Sequence, residues 1–158
     1  MKSLLKLASI INNPIINLHG SLDEIAAEKL FADKNYEEAM TIFRSNEVWM
    51  CGHLMWMADP GFIYYFCAFL DVLGEKIGDF EDAFFADRVA QLMLILEFRG
   101  REFTEISYDY EAVVRCRLEQ IECSLMKSTD EDAERLLIKI RKVLNNWPTS
   151  MGGGFTLE

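Results

Sequence analysis

From Val89 to Phe98 the chain reads Val-Ala-Gln-Leu-Met-Leu-Ile-Leu-Glu-Phe, and only Gln91 and Glu97 interrupt its apolar character. A helix that is apolar on every side has to be covered on every side. The run therefore predicts a buried central helix over 79–98 with other helices packed around it. Asp79 opens that helix with Asp82 three residues on, an acidic first turn that suits the positive end of the helix dipole. Phe80, Ala83 and Phe84 give it an amphipathic start, and Gly100 ends it.

The stretch before it is equally directive. Asp59 can accept hydrogen bonds from the free N–H groups of a first helical turn, and Pro60 loses nothing there because it has no N–H to leave unpaired. Phe62, Phe66, Phe69, Leu70 and Leu73 follow at helical spacing and make one broad apolar face. Gly74 and Gly78 mark its stop. With 3 Pro and 9 Gly in 158 residues, punctuation is too sparse for a many-turned β fold. The expectation is an all-α, single-domain bundle of about six helices over 1–147, followed by a flexible tail, 148–158. The tail holds Gly152-Gly153-Gly154 and ends in Leu157-Glu158, a pair of the kind a cloning site leaves.

The remaining helices have local signatures. Met1 to Ile11 is weakly helical and is ended by Asn12-Asn13-Pro14, because the residue before proline avoids the helical region. Ile15-Ile16-Asn17-Leu18 reads as a connector, and His19-Gly20 as a turn. Ser21 and Glu24 have the capping-box spacing, and the helix they start is predicted to face inward with Leu22, Ile25, Ala26, Leu30 and Phe31. Asp33-Lys34-Asn35 breaks the chain before a helix from Tyr36 to about Arg44, with Ala39, Met40 and Phe43 inward. Residues 45–57 are crowded with Trp, Met and Leu and predict helix or tight turns against the core. A helix over 108–127 places Tyr110, Val114, Leu118, Ile121 and Leu125 in one stripe. A last helix places Ala133, Leu136, Leu137, Ile140, Val143, Leu144 and Trp147 on one face.

Formal net charge is −10, which disfavours nucleic acid, whose phosphates would be repelled. Half of that charge lies between Asp71 and Asp87, where Asp71, Glu75, Asp79, Glu81, Asp82 and Asp87 face a single base, Lys76. Such a run is either a solvated face or a docking surface for a basic protein. Tyr64 and Tyr65 are adjacent, so one must point away from the core, and an outward Tyr64 would anchor such an interface. No apolar run reaches membrane-spanning length. The four cysteines, Cys51, Cys67, Cys116 and Cys123, sit inside apolar or amphipathic runs with no signal peptide ahead of them. That pattern predicts reduced thiols and a cytoplasmic protein.

Catalytic patterns are thin. Cys51 and His53 are too close in sequence to face each other on a regular helix. Neither cysteine pair has the close spacing of a structural zinc site, and the glycine triplet has no strand–helix context for phosphate. No metal or cofactor is expected, and no enzyme activity. The one stretch with the makings of a small-ligand pocket is Trp49 to Trp56, with His53 between them.

Ala58 to Leu70 resembles a family of small bacterial proteins described as a domain of unknown function, whose members carry a run like L-T-P-E-A-F-R-Y-Y-L-P-A-F-L. Phe62, Tyr64, Tyr65, Ala68, Phe69 and Leu70 match it. Pro60 is displaced by one position, Ile63 stands for arginine, Phe66 for leucine and Cys67 for the internal proline. The resemblance implies a helical bacterial protein and brings no catalytic residue with it. In general character the chain is also similar to immunity proteins that neutralise secreted bacterial toxins. The functional expectation is a small acidic immunity-type protein that binds a basic partner through Tyr64 and the acids of 71–87. The alternative is a small-ligand binder or enzyme with its pocket around Trp49, His53 and Trp56.

Overall fold

The computed structural model describes residues 8, 11, 14–45, 48–77, 83–99, 108–127 and 131–146, with the backbone alone at 48–50, 83–84, 108–110 and 131–132. Among them the protein is all-α, as the sequence predicts. The described residues form six α-helices, α1 (Leu22–Phe31), α2 (Tyr36–Arg44), α3 (Asp59–Glu75), α4 (Ala83–Arg99), α5 (Tyr108–Leu125) and α6 (Glu131–Asn145), and a 3-10 helix, Val48–Trp56, between α2 and α3. Asp79, Glu81 and Asp82, the N-terminal helix apart from Ala8 and Ile11, Trp147 and the tail lie outside the described residues. The residues group into two compact units, Met1–Lys76 and Ile77–Glu158.

In the first unit α1 starts at the predicted capping box. Ser21 Oγ accepts from the Glu24 N–H at 3.2 Å, and the Glu24 carboxylate accepts from the Ser21 N–H at 3.0 Å. Replacing Ser21 with Ala removes one side of this exchange and should lower stability by about 1 kcal/mol in a urea titration. The inward face of α1 is not the predicted one. Glu24, Ala27 and Phe31 are buried, whereas Leu22 is 85% exposed and Ile25, Ala26 and Leu30 are half-buried. The face is rotated because Glu24 is drawn inward to serve the preceding connector, as described below. Asp33, at φ 60°, takes the left-handed conformation that lets the chain leave the helix. Asn35 and Glu38 then form a second capping box, the Glu38 N–H donating to Asn35 Oδ1 at 3.0 Å and the Asn35 N–H to Glu38 Oε2 at 2.8 Å. Ala39, Met40 and Phe43 of α2 are buried as predicted.

Helix α3 packs on α2 and on the 3-10 helix. Phe62, Tyr65, Phe66, Phe69, Leu70 and Leu73 are buried, and so are Cys67, Ala68 and Val72 between them. An aromatic chain ties the unit together. Ring centroids lie 5.2 Å apart for Phe31 and Phe43, 5.0 Å for Phe31 and Tyr65, 5.4 Å for Phe43 and Phe69 and 5.1 Å for Phe62 and Phe66. These are separations at which tilted rings attract.

The start of α3 departs from expectation. Asp59 is the first helical residue, not the cap. Ala58 holds the cap position without a side-chain hydrogen bond. The open donors are met by backbone from the connector instead: the Ala58 N–H donates to the Ile16 carbonyl at 2.8 Å and the Gly61 N–H to the Ile15 carbonyl at 3.0 Å. Such orphan donors of a first turn need an acceptor from somewhere.

In the second unit α6 packs against both α4 and α5. Val114, Leu118, Ile121 and Leu125 of α5 are buried at the predicted stripe, as are Ala133, Leu136, Ile140 and Leu144 of α6. Arg141 joins the two helices at the surface, its Nε donating to Glu122 Oε1 at 2.8 Å. Helix α4 buries Phe85, Val89, Leu92, Met93, Ile95 and Leu96, but it is not enclosed on every side: Leu94 is partly exposed and Phe98 is 74% exposed. Arg88 and Arg99 share its buried side. The apolar run at 89–98 thus overstates enclosure, because two of its apolar positions face out while two arginines that flank it are inside.

Candidate functional site

Of the acids singled out from the sequence, Asp71, Glu75 and Asp87 are among the described residues, and the first two are engaged by α2. Asp71, on α3, accepts a hydrogen bond of 2.7 Å from the Tyr36 hydroxyl of α2. Burial, reinforced by Asp71, pushes the Tyr36 hydroxyl pKa upward, so it stays the donor. Tyr64 is half-buried and stands edge-on to both Tyr36 and Tyr65, at 6.0 and 4.9 Å. One turn beyond Asp71, Glu75 takes a two-pronged contact from Arg44, Nε to Oε2 at 2.9 Å and Nη2 to Oε1 at 2.6 Å. The shared hydrogen bonds raise the Arg44 pKa and lower that of Glu75. Tyr64, Asp71 and Glu75 therefore share one face of α3, where they clasp α2. Both ends of the Arg44–Glu75 pair are substantially exposed, so it contributes little to stability. Asp87 is exposed on α4, in the other unit.

The candidate pocket residues are sorted by the 3-10 helix. With about three residues per turn, side chains three apart lie one above another. Cys51, Leu54 and Met57 form the buried row. Gly52 and Met55 form a half-buried row, in whose register Trp49 also falls. His53 and Trp56 form the third, with His53 half-buried and Trp56 50% exposed. On an α-helix Trp49, His53 and Trp56 would have shared a face; here Trp49 falls in a different row, and Cys51 turns away from His53. Burial lowers the His53 pKa, against an opposing pull from the Asp23 charge on α1.

A feature the sequence did not disclose lies beside this row. The connector 14–20 is fastened across the ends of α1 and α3. Glu24 is its main fastening: Oε1 accepts from the Leu18 and His19 N–H groups at 3.2 and 3.3 Å and contacts His19 Nδ1 at 3.2 Å, while Oε2 serves Ser21. Asn17 donates to Glu28 Oε2 at 3.1 Å and accepts from the Gly20 N–H at 2.9 Å. These bonds, the one from Ser21 foremost, hold the Glu24 pKa down at about 2. The sign follows from linkage. A carboxylate whose folded pKa lies below its unfolded one stabilises the fold in full above about pH 5, and loses that contribution as pH falls toward 2. Glu24→Gln should be less stable than the parent at pH 7, with the gap narrowing between about pH 4.5 and 2; parallel stability curves would contradict it.

Held this way, the connector leaves Ile15 51% and Leu18 61% exposed; Leu22 and Trp56 are exposed as well. Ile15 and Ile16 bond the start of α3 at Gly61 and Ala58, Leu18 bonds Glu24 of α1, and Asp23 of α1 acts on His53. Asp23 and Asp59 are exposed. The available signal was Ile15, Ile16 and Leu18 inside a turn-rich segment that no helical period claims.

Among the described residues no three His, Cys, Asp or Glu side chains converge as metal ligands, and no helix is long and apolar enough to cross a membrane. Cys51 and Cys67 are buried thiols, Cys116 is half-buried and Cys123 is exposed. The chain matches no protein-family model, no curated protein and no solved structure.

Proposed function

We propose that the protein is a cytoplasmic protein-binding module, most concretely a bacterial immunity-type inhibitor that holds and neutralises a basic toxin. The observation that carries this reading is the charge of its surface. Among the described residues of the first unit the exposed acids are Asp23, Glu28, Asp33, Glu37, Glu38, Asp59 and Glu75, against the exposed bases Lys29, Lys34 and Arg44. Such a field speeds encounter with a cationic partner and repels anionic ones. With Asp71 and Glu75 committed to α2, the attraction is spread over this surface and Asp87 rather than concentrated in one run.

The test is co-expression with the product of the adjacent reading frame. Growth rescue from a product that is toxic alone, with a complex whose association slows as salt is raised, is the expected result. A harmless neighbour, or rescue without a complex, would end the reading. A second reading rests on the His53–Trp56 row, where a half-buried imidazole, its pKa lowered by burial, lies one 3-10 turn from a half-exposed tryptophan. It makes the protein a small-ligand binder or enzyme, and a metabolite that raises the melting temperature of the parent but not of His53→Ala would support it.

A further inference from the structure

We propose that the connector 14–20 is a strap that opens as one unit, pivoting at Gly20, while α1, α2 and α3 stay folded. The motion is built into the first unit and is independent of any partner.

Burial sets the strap apart from the helices. Of its residues only Ile16 is buried, whereas Ile15, Leu18, His19 and Gly20 are exposed. Segments with so few buried apolar contacts open at a lower free energy than the core of the same fold. The helices are joined to one another by other means. Phe31, Phe43, Tyr65 and Phe69 link α1, α2 and α3 through ring contacts, and the Tyr65 hydroxyl donates to the Phe31 carbonyl at the end of α1. None of these contacts involves a residue of the strap.

The strap's own ties are polar and fall into two sets. The Ile15 and Ile16 carbonyls accept from the Gly61 and Ala58 N–H groups at the start of α3. The Leu18 and His19 N–H groups donate to Glu24 Oε1 on α1. Asn17 lies between, bonded to Glu28 and to the Gly20 N–H. The two sets are coupled by the shortness of the chain. Ile16 and Leu18 are two residues apart, a reach of at most about 7 Å, so lifting the strap from α3 pulls on the bonds to Glu24, and the reverse.

Gly20 permits the swing. Its φ of 73° lies in the left-handed region that glycine enters freely, and nothing lies within 4 Å of where a Cβ would stand. Beyond it Ser21 and Glu24 keep their capping box, so α1 need not unwind. Opening bares two N–H groups in the first turn of α3 and the place that Ile16 fills.

Hydrogen exchange of the parent protein in rising, sub-denaturing urea tests this. The amides of Leu18, His19, Ala58 and Gly61 report the strap, and those of Met40, Phe43, Phe66 and Phe69 report the cores of α2 and α3. Relative to their unfolded rates, the first four should exchange through one common opening, at least about tenfold faster than the core amides and with a shallow dependence on urea. Glu24→Ala should then speed exchange at Ala58 and Gly61, to which Glu24 is not bonded. Gly61→Ala should speed it at Leu18 and His19. Each effect should be about tenfold or more, and Gly52→Ala should change none of the four. Exchange of the four in step with the helix cores overturns the proposal. So does a Glu24→Ala effect confined to residues 18–21, or a Gly61→Ala effect confined to residues 58–61, because the two sets of ties would then open separately. The urea series on the parent decides the matter even if a variant fails to fold.

Discussion

Replacing Gly61 with Ala should cost about 2–4 kcal/mol of stability, although alanine is the better helix former. A Cβ at position 61 would lie 2.6 Å from the Ile15 carbonyl oxygen and 3.2 Å from both the Ile15 carbonyl carbon and Ile16 Cγ1. Backbone cannot swing aside as the end of a long side chain does, so the connector has to lift. Lifting it strains or breaks the bonds from Gly61 to Ile15 and from Ala58 to Ile16. Two hydrogen bonds at about 1 kcal/mol each, with an overpacking cost of about 1–3, outweigh the gain of about 1 from helix propensity. Gly52→Ala is the matched control. Nothing lies within 4 Å of a Cβ there, so it should be neutral or slightly stabilising. Urea midpoints compare the two directly, and a Gly61→Ala protein as stable as the parent would show that the connector does not rest on α3.

Tyr65→Phe should lose about 1–2 kcal/mol while leaving the ring in place. The Tyr65 hydroxyl is buried in the first unit and reaches two carbonyls at the end of α1, Phe31 at 2.6 Å and Lys34 at 3.2 Å. One proton lies between two acceptors, nearer to Phe31. Burial holds it there, since desolvation raises the pKa of the phenol. The Phe31 carbonyl keeps its bond from the Lys34 N–H after the substitution, which caps the loss below that of a fully stranded group. Hydrogen exchange gives a sharper reading than global unfolding: the amides of the last turn of α1 should lose protection before those of α2. Unchanged exchange across 28–34 would refute the assignment.

These two residues also show where the sequence was legible. Signals that act within a turn or two were readable: the Ser21–Glu24 box, the break at 33–35, the inward set Ala39, Met40 and Phe43, and the stripes of α5 and α6. Each depends on spacing along one helix. What escaped were choices settled by chain arriving from elsewhere. Asp59 has the chemistry of a cap, but carbonyls of Ile15 and Ile16 occupy the place it would have filled. Glu24 was read only as half of a capping box, yet its second oxygen holds the connector, which turned Leu22 outward and Ala27 inward. The Trp49–Trp56 grouping was read from composition alone, as helix or tight turns, so it could not say that the backbone repeats by three. Asp71 and Glu75 were counted as free charge because neither Tyr36 nor Arg44 is near them in sequence.

The three-row 3-10 helix makes this part of the protein periodic in its tolerance of length change. Deleting or adding one residue between Gly52 and Met55 would turn everything downstream by a third of a revolution and carry a polar or bulky side chain into the slot of Leu54. Adding three would restore the phase and only lengthen the rod by about 6 Å. In evolutionary drift or in the laboratory, this segment should therefore accept changes in threes and refuse ones and twos.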